Sequence, residues 1–250
     1  ASFTLRGNPL EFRTDGADYE MQFAPISQRE IDLIMGSTEI KACNAQQSDT
    51  ATASSFFLPS GMPSGTISAN TSSAWNRNFT SGILTLAEGR HITQDDRHAA
   101  LVSRELAEEN ELQIGSELSF KDPAATVEII GIYESDPSME FDADTIFTDH
   151  NTLWALTESE AGTYSGRVDF FVTDPARLET VMEQIKRDVP LRWEDYTLQA
   201  DTAEYDAIAY QLLTIGRLTT LLIVSAMIVS IVVLFLILAM RIRGRVHEVG

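Results

Sequence analysis

The feature that most constrains this chain is an uncharged apolar run near its C-terminus, from Leu218 to Met240. The run has 23 residues and contains no charged residue, no Pro and no Gly. A run of 18 or more apolar residues is long enough to cross the roughly 30 Å hydrocarbon core of a bilayer as a helix. A helix buried in a soluble core usually keeps a polar face, and this run has none. We therefore predict a transmembrane helix over 218–240.

The charges on either side of this run predict its orientation. Residues 1–240 carry 15 basic and 36 acidic groups, whereas residues 241–250 carry three arginines and one glutamate. Positively charged segments next to a membrane helix stay on the cytoplasmic side. We therefore expect residues 1–217 to be extracytoplasmic and residues 241–250 to be the start of a cytoplasmic segment, with the lipid bilayer between them.

The composition excludes some classes of partner and site. The formal net charge of −19 disfavours a nucleic-acid partner, because few basic groups are available to neutralise phosphates. The acidic surface has two open explanations, which are solubility outside the cell and binding of a cationic peptide. Cys43 is the single cysteine, so no disulfide can form within the chain and we expect an inert thiol. No CxxC, HExxH or Cys/His cluster supports a zinc site.

The first 50 residues have the pattern of a β-α-β unit. Ser27 and Glu30 have the spacing of a capping box, so Ser27 is predicted to be the N-cap of a helix. Gly36 is expected to end that helix, and residues 40–45 are predicted to form the next strand. The Ser-, Thr- and Gly-rich stretch 46–74 is predicted to be a mobile loop or a loosely tied excursion of the chain.

The middle of the chain, 80–150, is predicted to be rich in strands. A short buried strand ends at Ser103, which can cap a helix over 104–109. Residues 117–133 have the pattern of a β-hairpin, and a further strand is expected at 145–148. This region is interpreted as a β-rich subdomain inserted into a larger domain.

Residues 165–200 repeat the β-α-β pattern of the opening. Asp174-Pro175 is typical of a helix start, and apolar residues at helical spacing follow it. The predicted fold class is therefore α+β, with a discontinuous β-α-β/β-α-β extracytoplasmic core domain over 1–200. Its two halves are expected at 1–50 and 165–200, and they enclose the inserted subdomain.

Residues 201–217 are predicted to form a stalk helix that continues into the membrane span. Apolar residues recur there at the i, i+3 and i+4 spacing of a helix, without a clear break before 218–240. One helix from 201 to 240 would be about 60 Å long, so part of it would project beyond the bilayer. Because no start Met and no signal peptide are present, we expect the chain to be a piece of a longer membrane protein.

Four segments together resemble the FtsX/MacB-type ABC transporter permeases. Glu88-Gly-Arg-His-Ile-Thr with Asp95-Asp96, the run 100–115 and the strand 127–133 resemble the extracytoplasmic core domain of that family. The end of the chain, Arg245-Val-His-Glu-Val-Gly250, resembles the family motif that follows the second membrane span. The resemblance covers residues 3–250.

This resemblance implies a permease subunit in a bacterial plasma membrane rather than an enzyme. The family typically has four membrane spans, of which this chain would supply the second. It implies a cytoplasmic ABC ATPase partner that binds the ATP, and a second permease copy or homologue in a dimer. No G-x-x-x-x-G-K-[ST] loop is present in the chain, and no cofactor of its own is expected. The candidates for the membrane edge and for coupling to the ATPase are Arg241, Arg243, Arg245, Glu248 and Gly250.

Three functions are compatible with the resemblance. The leading hypothesis is export or expulsion of a peptide or hydrophobic substrate, and the main alternative is a mechanotransmitter that regulates a cell-wall hydrolase or sensor partner without transport. The third is a peptide sensor that signals through a kinase. For the arginines and the glutamate at the end of the chain, simple membrane topology is an equally good explanation.

Other candidate residues have weaker patterns. His91, His98 and His150 stand among polar residues, and we expect ordinary surface or turn roles for them. The alternating acidic residues of 140–144 could bind calcium, but no Gly or distal Glu completes an EF-hand loop, so a solvated acidic face is expected.

Overall fold

The structure is a computed structural model that describes residues 1–10, 23–122, 124–157, 160–201 and 227. The chain divides into two compact units, Ala1–Asp201 and Thr202–Gly250, and the description below concerns the first. In the described ranges, no helix has the length and apolar character needed to cross a membrane. Apart from residues 201 and 227, the predicted stalk, transmembrane helix and cytoplasmic start lie outside the described residues.

The described part of the first unit alternates short helices with strands. In chain order, its elements are β1 (Ser2–Gly7), β2 (Ile26–Ser27), α1 (Gln28–Met35), β3 (Ile40–Ala53), β4 (Ser64–Asn70), α2 (Arg77–Thr80), β5 (Leu84–Gly89), β6 (Ala99–Ser103), α3 (Arg104–Glu109), β7 (Glu117–Asp122), β8 (Ala124–Ser135), β9 (Ile146–Asp149), α4 (His150–Thr157), β10 (Thr163–Tyr164), β11 (Arg167–Val172), α5 (Leu178–Asp188) and β12 (Tyr196–Asp201). Short 3₁₀ turns, Ser73–Trp75 and Pro175–Arg177, precede α2 and α5.

The described strands form one large mixed sheet of ten strands and a small two-stranded sheet. The large sheet has the order β12-β1-β11-β3-β4-β9-β6-β8-β5, and β7 pairs with both β3 and β8. The pairs β4/β9 and β6/β8 are parallel, and the others are antiparallel. The long strand β3 belongs to both halves of the sheet, because its first part pairs with β11 and its last residues pair with β7.

Separate hydrophobic cores cover the two ends of this sheet. At the β12-β1-β11 end, α1 and α5 pack on one face, with Phe3, Ile34 and Phe170 among the fully buried side chains. At the other end, α3 and α4 contribute Leu106 and Leu153 to a second cluster. An aromatic cluster made from Phe79, Tyr133, Phe141 and Phe147 lies beside that second cluster. The predicted α+β class is confirmed, whereas the domain boundaries at 50, 80, 150 and 165 stay predictions.

The local signals for helix starts predicted the helices well. The backbone N–H of Ser27 donates to the Glu30 carboxylate at 2.5 Å, which forms the capping box at the start of α1. The Ser103 hydroxyl accepts from the Leu106 N–H at 3.1 Å and caps α3. Asp174 caps the 3₁₀ turn that leads into α5. These confirmed predictions share a local origin, because each cap joins residues only two or three positions apart.

The prediction of a mobile loop over 46–74 is wrong. β3 continues to Ala53 and turns back into β4, so most of this stretch forms an antiparallel hairpin with Gln46 opposite Asn70. The hairpin also contributes Phe56 and Leu58 to the second core. Its strands are rich in Ser and Thr, and they bury only a few apolar side chains, Ala51, Ile67 and Ala69, in the second core.

Candidate functional site

A buried polar face lies on the side of the sheet opposite α1 and α5. In β1, Phe3 and Leu5 belong to the core with these helices, so the alternate residue Thr4 points to the other side. In β11, Phe170 belongs to the same core, and its neighbour Asp169 lies directly opposite Thr4. Asp169 has no solvent-exposed surface. A buried carboxylate needs hydrogen bonds and opposite charges to compensate for the loss of water.

Arg77, the first residue of α2, supplies the main compensating charge. Its Nη2 lies 3.0 Å from Asp169 Oδ1 and donates to Thr4 Oγ1 at 2.5 Å, while the Thr4 hydroxyl donates to Asp169 Oδ1 at 2.6 Å. Arg77 Nη1 forms a second ion pair with Asp201. The Nε of Arg167 lies 3.4 Å from the other Asp169 oxygen. We call Thr4, Arg77, Arg167, Asp169 and Asp201 the ionic cluster.

The ionic cluster joins three parts of the chain that are far apart in sequence. Asp169 belongs to a central strand, and Arg77 belongs to the segment that connects β4 to β5. Asp201 is the last residue of β12 and the first residue of the predicted stalk. Arg77 therefore connects the last residue of β12 to Asp169 in β11.

An amide network continues the buried polar face toward β4. Asn44 Nδ2 donates to Asn70 Oδ1 at 2.8 Å, and Asn76 Nδ2 donates to the same oxygen at 2.9 Å. The Asn44 side-chain oxygen accepts from the Ser72 N–H at 3.0 Å. All three asparagines are fully buried. The bonds from Ser72 and Asn76 hold the 72–77 segment, and with it Arg77, against β3 and β4.

The Gly-Arg motif found in the sequence forms a clasp with an aspartate six residues later. Arg90 binds Asp96 with both guanidinium branches, at 2.8 and 2.7 Å. The same carboxylate accepts from the backbone N–H and the hydroxyl of Thr93 at 2.8 and 3.0 Å. The hydrogen bond from Arg90 is the largest cause that lowers the pKa of Asp96 to about 2. The motif is therefore a structural clasp that closes the loop 90–96.

The clasp predicts an acid-dependent loss of stability. The pKa of Asp96 lies below its ordinary value of 3.8, so the ionised carboxylate stabilises the folded state. This stabilisation is complete above about pH 4 and is lost as the pH falls through about 2. Asp96→Asn is expected to lower the free energy of unfolding at pH 7 by about 1–2 kcal/mol, since half-exposed Arg90 is partly screened. Urea unfolding between pH 7 and pH 2 measures this difference in stability, which should shrink as the pH approaches 2. Asp95→Asn, at the exposed neighbouring position, should have no effect at any pH.

The three histidines have different environments, and the prediction of a surface role is wrong for His150. His150 begins α4 and is 3 % exposed, with Nε2 3.0 Å from the carbonyl oxygen of Ala45. Burial lowers the pKa of His150 to about 4, so the ring is neutral at pH 7. His91 is half-buried, with Nδ1 2.9 Å from Ser73 Oγ, and burial lowers its pKa too. His98 is exposed in a turn with φ of +56°, as expected.

The acidic residues of 140–144 bind groups of the protein itself. Asp144 is buried and accepts from the backbone N–H of Ser60 at 3.0 Å and from its hydroxyl. Asp142 accepts from the Asp144 N–H at 3.0 Å. Asp144 therefore ties the β3-β4 hairpin to the start of β9, which differs from the solvated face that the sequence predicted. Across the described ranges, no three His, Cys, Asp or Glu side chains are grouped to hold a metal ion.

Cys43 and the coupling candidates complete the predicted sites. Cys43 is half-buried in β3, and burial raises the pKa of its thiol to about 11, which agrees with an unreactive thiol. The coupling candidates at the end of the chain, Arg241, Arg243, Arg245, Glu248 and Gly250, lie outside the described residues.

Sequence reasoning missed the ionic cluster. Its signal was Asp169, a charge in the middle of the apolar strand Val-Asp-Phe-Phe-Val.

Comparison with known families identifies this architecture. The family model described as the MacB-like periplasmic core domain matches residues 4–188, about three quarters of the chain. The chain belongs to the MacB-like periplasmic core domain family. The resemblance to this family that the sequence motifs indicated is thus confirmed. A search of curated protein sequences found no match.

Solved structures agree with the fold of a MacB-like periplasmic core domain. The periplasmic region of MacB from Actinobacillus actinomycetemcomitans aligns with a TM-score of 0.54 at 12 % identity, over 83 % of this chain and 92 % of the other. The extracellular domain of the noncanonic ABC-type transporter YknZ from Gram-positive bacteria aligns with a TM-score of 0.52 at 15 % identity, over 80 % and 100 %. At these identities the likeness shows the fold alone. The family match includes Arg77, Asp169 and the Arg90–Asp96 clasp, whereas Asp201 follows it.

Proposed function

We propose that this chain is part of a permease subunit of an ABC transporter. In this proposal, a partner ATPase hydrolyses ATP in the cytoplasm, and the resulting motion reaches the MacB-like domain outside the membrane through the predicted stalk over 201–217. The motion drives export or expulsion of a peptide or hydrophobic substrate. The family match and the two structural relatives, which come from a MacB protein and an ABC-type transporter, support this assignment.

The observation that carries the coupling step is the ion pair between Arg77 and Asp201. Asp201 stands where the described sheet ends and the predicted stalk begins, so a pull or a rotation of the stalk is applied at this residue. Arg77 passes that displacement to Asp169 in β11 and to the segment that leads into β5. A charged pair resists such a displacement because separating it removes one of the two carboxylates that pair with the partly buried guanidinium of Arg77.

The coupling step predicts variants in which ATP hydrolysis and export are separated. Arg77→Gln and Asp201→Asn in the full-length permease, assembled with its ATPase, are expected to lower export at least tenfold while ATP hydrolysis changes less than twofold. Export is followed as survival of cells that carry the complex when they are exposed to the cationic peptide polymyxin B. Asp188→Asn, which removes a carboxylate from an exposed Arg–Asp pair, is the matched control and should export normally.

The results distinguish coupling from folding and from the main alternative. The thermal unfolding midpoint of each variant identifies any loss that comes from unfolding alone. Equal losses of ATP hydrolysis and export in a folded variant would contradict the coupling role. A cell-separation defect with normal survival in polymyxin B would favour the alternative, a mechanotransmitter that regulates a cell-wall hydrolase or sensor partner.

A cationic peptide is the substrate class that charge favours, because residues 1–240 carry a net charge of −21. Long-range attraction of this kind is screened when the Debye length falls from about 10 Å at 0.1 M salt to about 3 Å at 1 M. Binding of the peptide that persists unchanged at 1 M salt would argue for a hydrophobic substrate instead.

The proposal also includes a dimer, in which this permease subunit associates with a second copy of itself or with a homologue.

A further inference from the structure

A cavity separate from the ionic cluster lies between α1, α4 and the end of β4. Its volume is about 200 Å³, and its walls come from α1, the end of β4, the loop 93–94, α4 and β10. Cavities that hold drug-sized ligands usually measure about 300–1,000 Å³, so this one suits a smaller ligand. The wall includes the imidazole of His150, which is almost fully buried.

The His150 ring presents a hydrogen-bond acceptor that has no partner. Its Nε2 lies 3.0 Å from the carbonyl oxygen of Ala45, so Nε2 carries the hydrogen and the unprotonated Nδ1 can only accept. Nδ1 is closed to solvent and has no hydrogen-bond partner in the described part of the chain. Leaving a buried acceptor unsatisfied is costly, typically about 1–3 kcal/mol. A ligand donor would remove that cost once the ring or its neighbours shift enough to open Nδ1 to the cavity.

Two other wall groups keep an unused hydrogen-bonding position. The Thr71 oxygen accepts from the Ala45 N–H at 2.9 Å, which leaves the hydroxyl hydrogen to donate. Asn151 donates through Nδ2 to the carbonyl oxygen of Asp96 at 3.0 Å, which leaves Oδ1 to accept. Together with His150 Nδ1, these two groups supply two acceptors and one donor. A ligand hydroxyl matches such a set because it can both donate and accept.

The rest of the wall combines the aromatic rings of Trp154 and Tyr164 with uncharged residues. Tyr164 lies edge-on to His150 with ring centroids 4.7 Å apart, and Trp154 lies 5.4 Å from Tyr164. Both aromatic polar atoms are already used, since Trp154 Nε1 donates to the Thr163 carbonyl and the Tyr164 hydroxyl donates to Gln28. The aromatic rings therefore supply apolar contact, while the cavity lining contains no Asp, Glu, Lys or Arg. A charged ligand would lose its water here without gaining an opposite charge.

We propose that this cavity binds one neutral sugar ring, with its hydroxyls on His150, Thr71 and Asn151 and its C–H face on Trp154. This site lies outside the transport function proposed above and does not depend on it. A ligand of this size is expected to bind with a dissociation constant of about 1–10 mM.

The test is a binding titration of the 250-residue chain in a detergent that has no sugar headgroup. The probes are glucose, N-acetylglucosamine, the carboxylate gluconate and the neutral amide N-acetylalanine amide, followed by saturation-transfer NMR and by tryptophan fluorescence. At least one of the two sugars should bind saturably, and gluconate should bind at least tenfold more weakly. His150→Phe and Asn151→Leu should each weaken sugar binding at least tenfold.

Gln113→Leu, which replaces an exposed amide outside the cavity, is the control and should leave sugar binding unchanged. Circular dichroism confirms that each variant is folded, and Asn151→Leu keeps the test decisive if His150→Phe does not fold. The proposal fails if neither sugar binds saturably, or if both cavity variants bind as tightly as the unsubstituted chain. Tighter binding of the amide than of either sugar would also overturn it and would assign the cavity to a peptide group.

Discussion

Replacement of Asp169 by alanine is expected to lower the free energy of unfolding by about 3–5 kcal/mol, the usual cost of removing one partner from a buried ion pair. Asp169 has no exposed surface, and its carboxylate lies between the guanidinium groups of Arg77 and Arg167. Without it, two partly buried positive charges would share a single carboxylate, that of Asp201. Chemical unfolding of the chain, with and without the substitution, measures this loss.

Two further variants separate charge from shape at this position. Asp169→Asn keeps the volume and one acceptor oxygen, so a loss nearly as large as that of Asp169→Ala would assign the effect to charge. The double variant with Arg77→Ala should be less destabilised than the sum of the two single changes, by about 1–3 kcal/mol, because the residues interact directly. Asp188→Asn, in a pair that is largely exposed on both sides, should unfold like the unsubstituted chain. If the losses in the free energy of unfolding of the two single variants simply add up in the double variant, the direct interaction between Arg77 and Asp169 is contradicted.

The parts of the fold that the sequence predicted are those decided by neighbouring residues. The capping box of Ser27 and Glu30 and the cap at Ser103 each need two residues three positions apart, and both helices begin where predicted. The apolar stripe of α5, with buried Leu178 and Val181, has the same local character. The Gly-Arg motif was also visible, although its role as a clasp required the geometry of Asp96.

The parts that the sequence did not predict depend on residues that are distant in the chain. Arg77 and Asp169 are 92 positions apart, and His150 meets the carbonyl of Ala45 across 105 positions. No periodicity reveals such a partner, because the large sheet brings the two residues together only after all its strands have paired. The hairpin of β3 and β4 was missed because its few buried apolar residues, Ala51, Ile67 and Ala69, stand among many Ser and Thr residues.

Gly89→Ala is the second substitution that is expected to have a large effect, with a loss of about 2–5 kcal/mol in the free energy of unfolding. Gly89 ends β5 with φ of +78°, a left-handed conformation that costs an alanine about 1–2 kcal/mol. A Cβ at this position would also stand 2.2 Å from the carbonyl oxygen of Ile130 and 2.8 Å from the Cα of Gly131. These are backbone atoms of the neighbouring strand β8, so they cannot rotate away, and overpacking of this kind costs about 1–3 kcal/mol.

Gly82 provides a control that separates the effect of the close contact with β8 from the effect of the left-handed backbone conformation. Its φ of +79° is nearly the same as that of Gly89, yet a Cβ added to Gly82 would meet nothing within 4 Å. Gly82→Ala should therefore cost only the conformational strain, about 1–2 kcal/mol, and the difference between the two variants measures the contact with β8. Equal losses would show that β5 shifts to accept the methyl group. In that case the adjacent Arg90 should also move, and the stability difference caused by Asp96→Asn should shrink in the Gly89→Ala background.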